Sequence, residues 1–224
     1  EDGTYTFKQP SGKVTISAGL KQSGGGYASC PKDETCPIHP FTDAKADAWY
    51  HDGVHYCLEK GLMVGTSDTT FAPEMATSRA MIAAILWRLQ GSKVVNYALQ
   101  YDDGAEGAWY TEAVRWATSE GIVNGYGNGS FGPDDPITRE QLATMLYRYE
   151  QKYGNGGFTG MWMFLLDFTD ADQVSAWADE ALHWMTMHKV IEGKGGKTLD
   201  PQGQATRAQA AVMLMRFCDE YVTW

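Results

Sequence analysis

The chain has 224 residues, 43% of them hydrophobic and 12% aromatic, and a formal net charge of −10. That acidity argues against nucleic acid as a partner, and no run of about twenty apolar residues is present that could insert in a bilayer. The length suits several small units sharing one core, because about sixty residues alone bury little.

Residues 3–18 alternate apolar and polar side chains around Pro10-Ser11-Gly12 and predict a hairpin, the end of a preceding β-rich domain. Residues 19–40 are rich in Gly, Ser, Lys and Pro and read as a linker. Residues 1–40 thus form a leading unit, and the chain reads as a piece of a longer protein. Cys30 and Cys36 bracket a short loop that either closes as a disulfide or holds two free thiols. No second Cys/His pair with ligand spacing accompanies them, which argues against zinc. Cys57 occupies a position matched by Ala117 and Met185 and reads as a small buried hydrophobe, while pairing with Cys218 stays open.

From residue 41 one phrase occurs three times. Gly65, Gly125 and Gly193 each lead to an apolar anchor, respectively Phe71, Phe131 and Leu199. Pro73, Pro133 and Pro201 follow, and then Arg79, Arg139 and Arg207. Upstream stand Trp49, Trp109 and Trp177, and before them Asp43, Asp103 and Asp170. A period of about sixty residues means repeated structural units. The units are assigned to 41–95, 96–153 and 154–224, the last with an inserted apolar segment at 158–167.

Each unit predicts two helices. The first helices are expected from Asp47 to Lys60, Trp109 to Glu120 and Ala176 to His188, with Trp49, Val54, Cys57 and Leu58 inward on the first. Gly61 and Gly121 end the first two, and Lys189 replaces that glycine in the third. The second helices are expected from Ser78, Thr138 and Thr206. Thr138 with Gln141 and Thr206 with Gln209 have capping-box spacing, which Met81 cannot complete. Between helices, Gly125, Gly127 and Gly129 predict a tight turn with positive φ. The expected fold is mainly α, with three helix-pair repeats in a pseudo-threefold bundle and a short β-hairpin-like segment and linker in front. A linear solenoid is the alternative.

The three arginines stand where the helix macrodipole disfavours a cation by a few tenths to about 1 kcal/mol. A guanidinium there can converge with free helix N–H groups on one anionic ligand. A salt bridge to an acid of a neighbouring repeat is the other reading.

The Phe-x-Asp element, the tryptophan at a helix start, the Gly-rich loop ending in Phe-x-Pro and the Thr-Arg pair together resemble the S-layer homology family. The resemblance covers about residues 41–222 in three in-register copies. It implies a three-pronged bundle that anchors a bacterial surface protein non-covalently to secondary cell-wall polysaccharide, often pyruvylated, in grooves between repeats. It implies an extracellular place at the cell wall and a longer parent protein. It also implies ligand contact by Arg139 and Arg207, with Arg79 matching behind Ser78 in place of threonine. Met81, Gln141 and Gln209 stand where the family has Glu.

Read as chemistry, a pyruvate ketal presents a carboxylate, which suits arginine. The glycan-site candidates are Arg79, Arg139 and Arg207 with their caps Ser78, Thr138 and Thr206 and the loop glycines Gly65, Gly125 and Gly193. To these are added Asp43, Asp103 and Asp170 as hydroxyl acceptors or turn caps, and Trp49, Trp109 and Trp177 as sugar platforms or core staples.

His51 and His55 lie four apart but lack a glutamate base, and read as solvent-exposed or capping rather than metal-binding. Asp68 and Asn128 do not complete a calcium ladder, and the Gly-rich turns lack a phosphate-loop lysine. No nucleophile, base and acid come together, so no catalysis, cofactor or metal is expected. Two classes remain: a carbohydrate-binding anchor, and a structural or protein-interaction module with degenerate glycan sites.

Overall fold

A computed structural model describes residues 4–9, 12–17, 30, 32–154 and 165–222. Strands β1 (Thr4–Gln9) and β2 (Gly12–Ser17) pair antiparallel with Gln9 opposite Gly12. The turn residues Pro10 and Ser11, most of the expected linker, and residues 158–164 of the apolar insertion lie outside the described residues.

Six helices follow: α1 (His51–Glu59), α2 (Arg79–Leu89), α3 (Thr111–Ser119), α4 (Arg139–Tyr153), α5 (Asp179–Met187) and α6 (Arg207–Tyr221). The first helix of each repeat begins two to four residues later than expected. Its cap residue, Tyr50, Tyr110 or Ala178, makes no side-chain cap and is buried in the core instead. The second helices begin as the capping pattern requires. Thr138 and Thr206 close complete boxes with Gln141 and Gln209, whereas Ser78 only accepts from the Met81 amide. The stripe of Leu142, Met145, Leu146 and Tyr149 on α4 is buried.

The first helices end alike. Leu62 and Met63 donate to Cys57 O, Ile122 and Val123 to Ala117 O, and Val190 and Ile191 to Met185 O. This Schellman-type ending needs a left-handed residue. Gly61 and Gly121 supply it at φ +66° and +72°, and Lys189 is forced to +55°. Lys189→Gly is therefore expected to stabilise the protein by about 1 kcal/mol in urea unfolding. No gain would mean that the lysine side chain compensates for its backbone.

The helices pair across repeat boundaries: α2 with α3, α4 with α5, and α6 with α1. The last contact closes a ring, so the arrangement is a pseudo-threefold bundle and not a solenoid. At its axis the chain hydrogen-bonds to itself in a cycle. Thr77 N–H donates to Ala205 O (2.9 Å), Ala205 N–H to Ile137 O (2.9 Å) and Ile137 N–H to Thr77 O (2.8 Å). A single helix pair has one apolar stripe per helix and no second layer to cover it, so three pairs must share one core. Phe71, Phe131 and Leu199 reach that core with 0%, 1% and 1% exposure. Cys57 and Cys218 are free and fully buried there, and burial pushes the Cys218 thiol up to about 12.

Candidate functional site

The loops are held by the aspartate that recurs in each repeat. Asp43 accepts from the amides of Phe71 and Ala72, Asp103 from Phe131 and Gly132, and Asp170 from Leu199 and Asp200, all at 2.7–2.8 Å. The residue after each anchor is left-handed (Ala72 +56°, Gly132 +70°, Asp200 +51°), so two successive amides turn toward one carboxylate. Burial pushes the Asp170 carboxyl up, but the Leu199 and Asp200 amides outweigh it and hold it below its ordinary value. Both oxygens of each aspartate are thus engaged as turn caps.

Gly65, Gly125 and Gly193 have a packing role. A Cβ there would come within 2.4–2.6 Å of the rings of Phe41, Tyr101 and Phe168 respectively. Gly127 and Gly129 take positive φ (+81° and +91°), but Gly125 does not, so room for Tyr101 explains that glycine.

The arginines are buried, with 4%, 6% and 6% exposure for Arg79, Arg139 and Arg207. Each reaches the loop of the next repeat around the ring. Arg79 donates to Phe131 O and Asn124 O (both 2.8 Å), Arg139 to Leu199 O (2.8 Å), and Arg207 to Phe71 O (2.9 Å) and Val64 O (2.5 Å). The helix-start amides are engaged as well. Those of Arg79, Arg139 and Arg207 donate to Asp135 O, Gly203 O and Met75 O, and the next amides along to Pro133 O, Pro201 O and Pro73 O. The expected convergence of free N–H groups on an anion is therefore replaced by inter-repeat carbonyls. The salt-bridge reading gives way to the same carbonyls, which accept from one or two donors of each guanidinium without a second buried charge. Ser78, Thr138 and Thr206 act on their own helices as caps.

The tryptophans lie outside the helices and are not core staples. Trp49, Trp109 and Trp177 are 65%, 57% and 53% exposed. The adjacent Tyr50 and Tyr110 fill the core and meet the indoles edge-on.

One exposed indole borders a cleft of about 340 Å³. The cleft joins Arg79 of the first repeat, the Ile122–Tyr126 loop and α4 of the second, and Trp177 of the third. Arg79 lies over the Tyr126 ring at 4.6 Å. Gln141 and Arg148 project from α4, and no carboxylate lines the cleft among the described residues. Arg148 makes no hydrogen bond or ion pair with the described residues, so this cation is available to a ligand.

Arg148 escaped the sequence reading, yet its signal was present. Arg88, Arg148 and Arg216 each stand nine residues after the Thr-Arg or Ser-Arg arginine. The structure makes the three unequal. Arg216 pairs with Glu192 at 2.6 Å, the residue aligned with Asn124. Arg88 is exposed, Met81 stands on its helix where α4 has Gln141, and the aligned loop residue Val64 is 71% exposed.

Comparison with known proteins agrees with this architecture. The family model of the S-layer homology domain matches residues 40–81, 100–143 and 167–211. The chain is 29% identical over 220 residues to an amylopullulanase of Thermoanaerobacterium thermosulfurigenes, covering 94% of this chain and 11% of that protein. It is 30% identical over 179 residues to the exoglucanase XynX of Acetivibrio thermocellus, covering 78% and 16%. With S-layer protein EA1 of Bacillus anthracis it shares 28% over 174 residues, covering 76% and 19%. The chain thus spans between about a tenth and a fifth of these relatives. S-layer homology domains are binding modules of longer surface proteins, and no described helix is long and apolar enough to cross a membrane. With three in-register matches over more than half its length, the chain belongs to the S-layer homology domain family, as a three-repeat module of the cell surface.

Proposed function

We propose that this module anchors a longer surface protein to the cell wall by binding an anionic, pyruvylated wall polysaccharide in the cleft of Arg79 and Arg148. The observation that carries this reading is the Arg148 guanidinium, without a partner among the described residues, in a cleft whose described lining has no carboxylate, beside the exposed Trp177. Arg148 meets the ketal carboxylate with charge-assisted hydrogen bonds. Trp177 presents its face to the sugar, and Gln141 and Asn124 serve the hydroxyls. Arg79, Ser78, Asp103 and Gly125 support the cleft by holding its loop and helix in register. The two arginines give local positive potential inside a chain of net charge −10, an effect confined at physiological salt to about 8 Å.

The other grooves favour a structural role. At the position that the threefold repetition gives to Arg139, Gly193, Thr206 and Trp49, the Glu192 carboxylate already holds Arg216. In the groove of Arg207, Gly65 and Trp109 an exposed valine and Met81 replace the polar residues. One competent groove of three is therefore the expected stoichiometry.

Sedimentation with purified native cell walls, before and after removal of their pyruvate ketals, tests this. Saturable binding to native walls and its loss on the treated walls is the expected result. Equal binding to both would remove the carboxylate from the mechanism, and no binding to either would remove the anchoring role.

A further inference from the structure

Away from the glycan cleft, two pairs of side chains that the sequence keeps apart come together. Cys30 and Cys36 lie in the segment before α1, and His51 and His55 share one face of α1 at a spacing of four. The sequence suggested exposed or capping histidines, but His51 and His55 are 2% and 9% exposed, and Cys30 and Cys36 are 7% and 4% exposed. One ligand atom from each of the four lies within 4.8 Å of all the others.

The spacings have a recognisable shape. Cys36 Sγ is 3.7 Å from His51 Nε2 and 3.4 Å from His55 Nδ1. A tetrahedral zinc ion, with bonds of about 2.3 Å to sulfur and about 2.05 Å to nitrogen, sets its S and N ligands about 3.5 Å apart. The surroundings also suit ligation. His51 Nδ1 is buried without a hydrogen-bond partner among the described residues, and its Nε2 faces a sulfur. An N–H···S contact compensates little for burying an imidazole. The Lys32 amide donates to Cys30 Sγ at 3.3 Å. Glu59 Oε2 lies 3.7 Å from His55 Nε2, the nitrogen that faces away from Cys36, on the side from which a carboxylate can close a hydrogen bond to a ligating histidine.

We propose that Cys30, Cys36, His51 and His55 hold a structural Zn²⁺ ion that clips the segment preceding the first repeat onto α1. Two thiols release their protons to solvent as the ion binds, and two thiolates with two neutral imidazoles cancel its charge, so the centre is buried without net charge. Four protein ligands leave no open position, which makes the site structural and not catalytic. The two sulfurs select zinc over calcium or magnesium. The competing state is a Cys30–Cys36 disulfide, which forms only by loss of two electrons and two protons and removes both sulfur ligands.

The test uses the full 224-residue chain, purified under reductant, demetallised, and titrated separately with Zn²⁺ and Co²⁺. Uptake of one ion per chain, thiolate-to-cobalt charge transfer with tetrahedral ligand-field bands, and a higher Tm with zinc are expected. Cys36→Ser and His51→Ala should lose stoichiometric uptake, and Cys57→Ser should retain it. Glu59→Gln should weaken zinc binding about tenfold, as loss of an orienting carboxylate does. Circular dichroism of each variant separates lost ligation from lost folding. Wild-type chain that takes up no zinc, or Cys36→Ser chain that takes up as much, overturns the proposal. So does a mass lower by two hydrogens, mapped to a Cys30–Cys36 link, in chain recovered from the native cell surface.

Discussion

Arg207→Ala is expected to destabilise the protein by about 2–4 kcal/mol in urea unfolding. Arg207 donates from 6% exposure to Phe71 O and Val64 O, and its guanidinium lies 4.5 Å from the Phe71 ring centroid. A hydrogen bond to a charged group contributes about 1.5–3 kcal/mol, and each carbonyl left buried without a donor adds to the loss. Relief from burying a cation offsets part of it. Because Arg207 lies on the third repeat and its acceptors on the first, its loss opens the ring where chain continuity cannot hold it. Arg79→Ala should cost about as much, since Arg79 also makes two such bonds, and Arg139→Ala less, with a single bond among the described residues, to Leu199 O. Lysine is not expected to rescue any of them, because a point charge cannot reproduce the fork. A Arg207→Ala protein within about 0.5 kcal/mol of wild type would show that the inter-repeat bonds are dispensable.

Arg148→Gln should leave stability nearly unchanged and weaken binding to purified wall polysaccharide by about ten- to a hundredfold. The first half follows from the absence of a partner for its guanidinium among the described residues. The second follows from the loss of a charge-assisted contact worth about 1.5–3 kcal/mol, where each 1.4 kcal/mol is a factor of ten. Trp177→Ala should also weaken binding, by about tenfold, as loss of an aromatic anchor does. Arg216→Gln is the internal control. Its guanidinium is already held by Glu192, so binding should barely move. If Arg148→Gln and Arg216→Gln weaken binding equally, the grooves are equivalent and the assignment of one competent cleft fails. Arg79→Ala cannot make this distinction, because it removes a buried inter-repeat link along with any contact to ligand.

The pattern of landmarks was legible because spacing along a chain is preserved in local structure. The anchors, the capping boxes of Thr138 and Thr206, the left-handed helix ends at Gly61 and Gly121 and the three-repeat count are all short-range features. Their geometry follows from a few neighbouring φ and ψ values and one buried stripe. The left-handed ending even survives at Lys189, because the following apolar residues still have to turn into the core.

What the tertiary structure alone decided is which groups meet across the ring. Read singly, a helix-start arginine looks like a ligand hook. Once α2 faces the second repeat's loop, carbonyls of Phe131 and Asn124 occupy that hook, and the cleft's guanidinium without a partner among the described residues is that of Arg148, on α4 of the second repeat. Likewise the tryptophans and tyrosines stand side by side in sequence, and only the angle at which each helix enters the bundle puts Tyr50 inside and Trp49 in solvent. Sequence fixes the kind and order of the groups. Their partners depend on long-range closure, in which a buried donor takes the nearest available acceptor from whichever repeat the fold delivers.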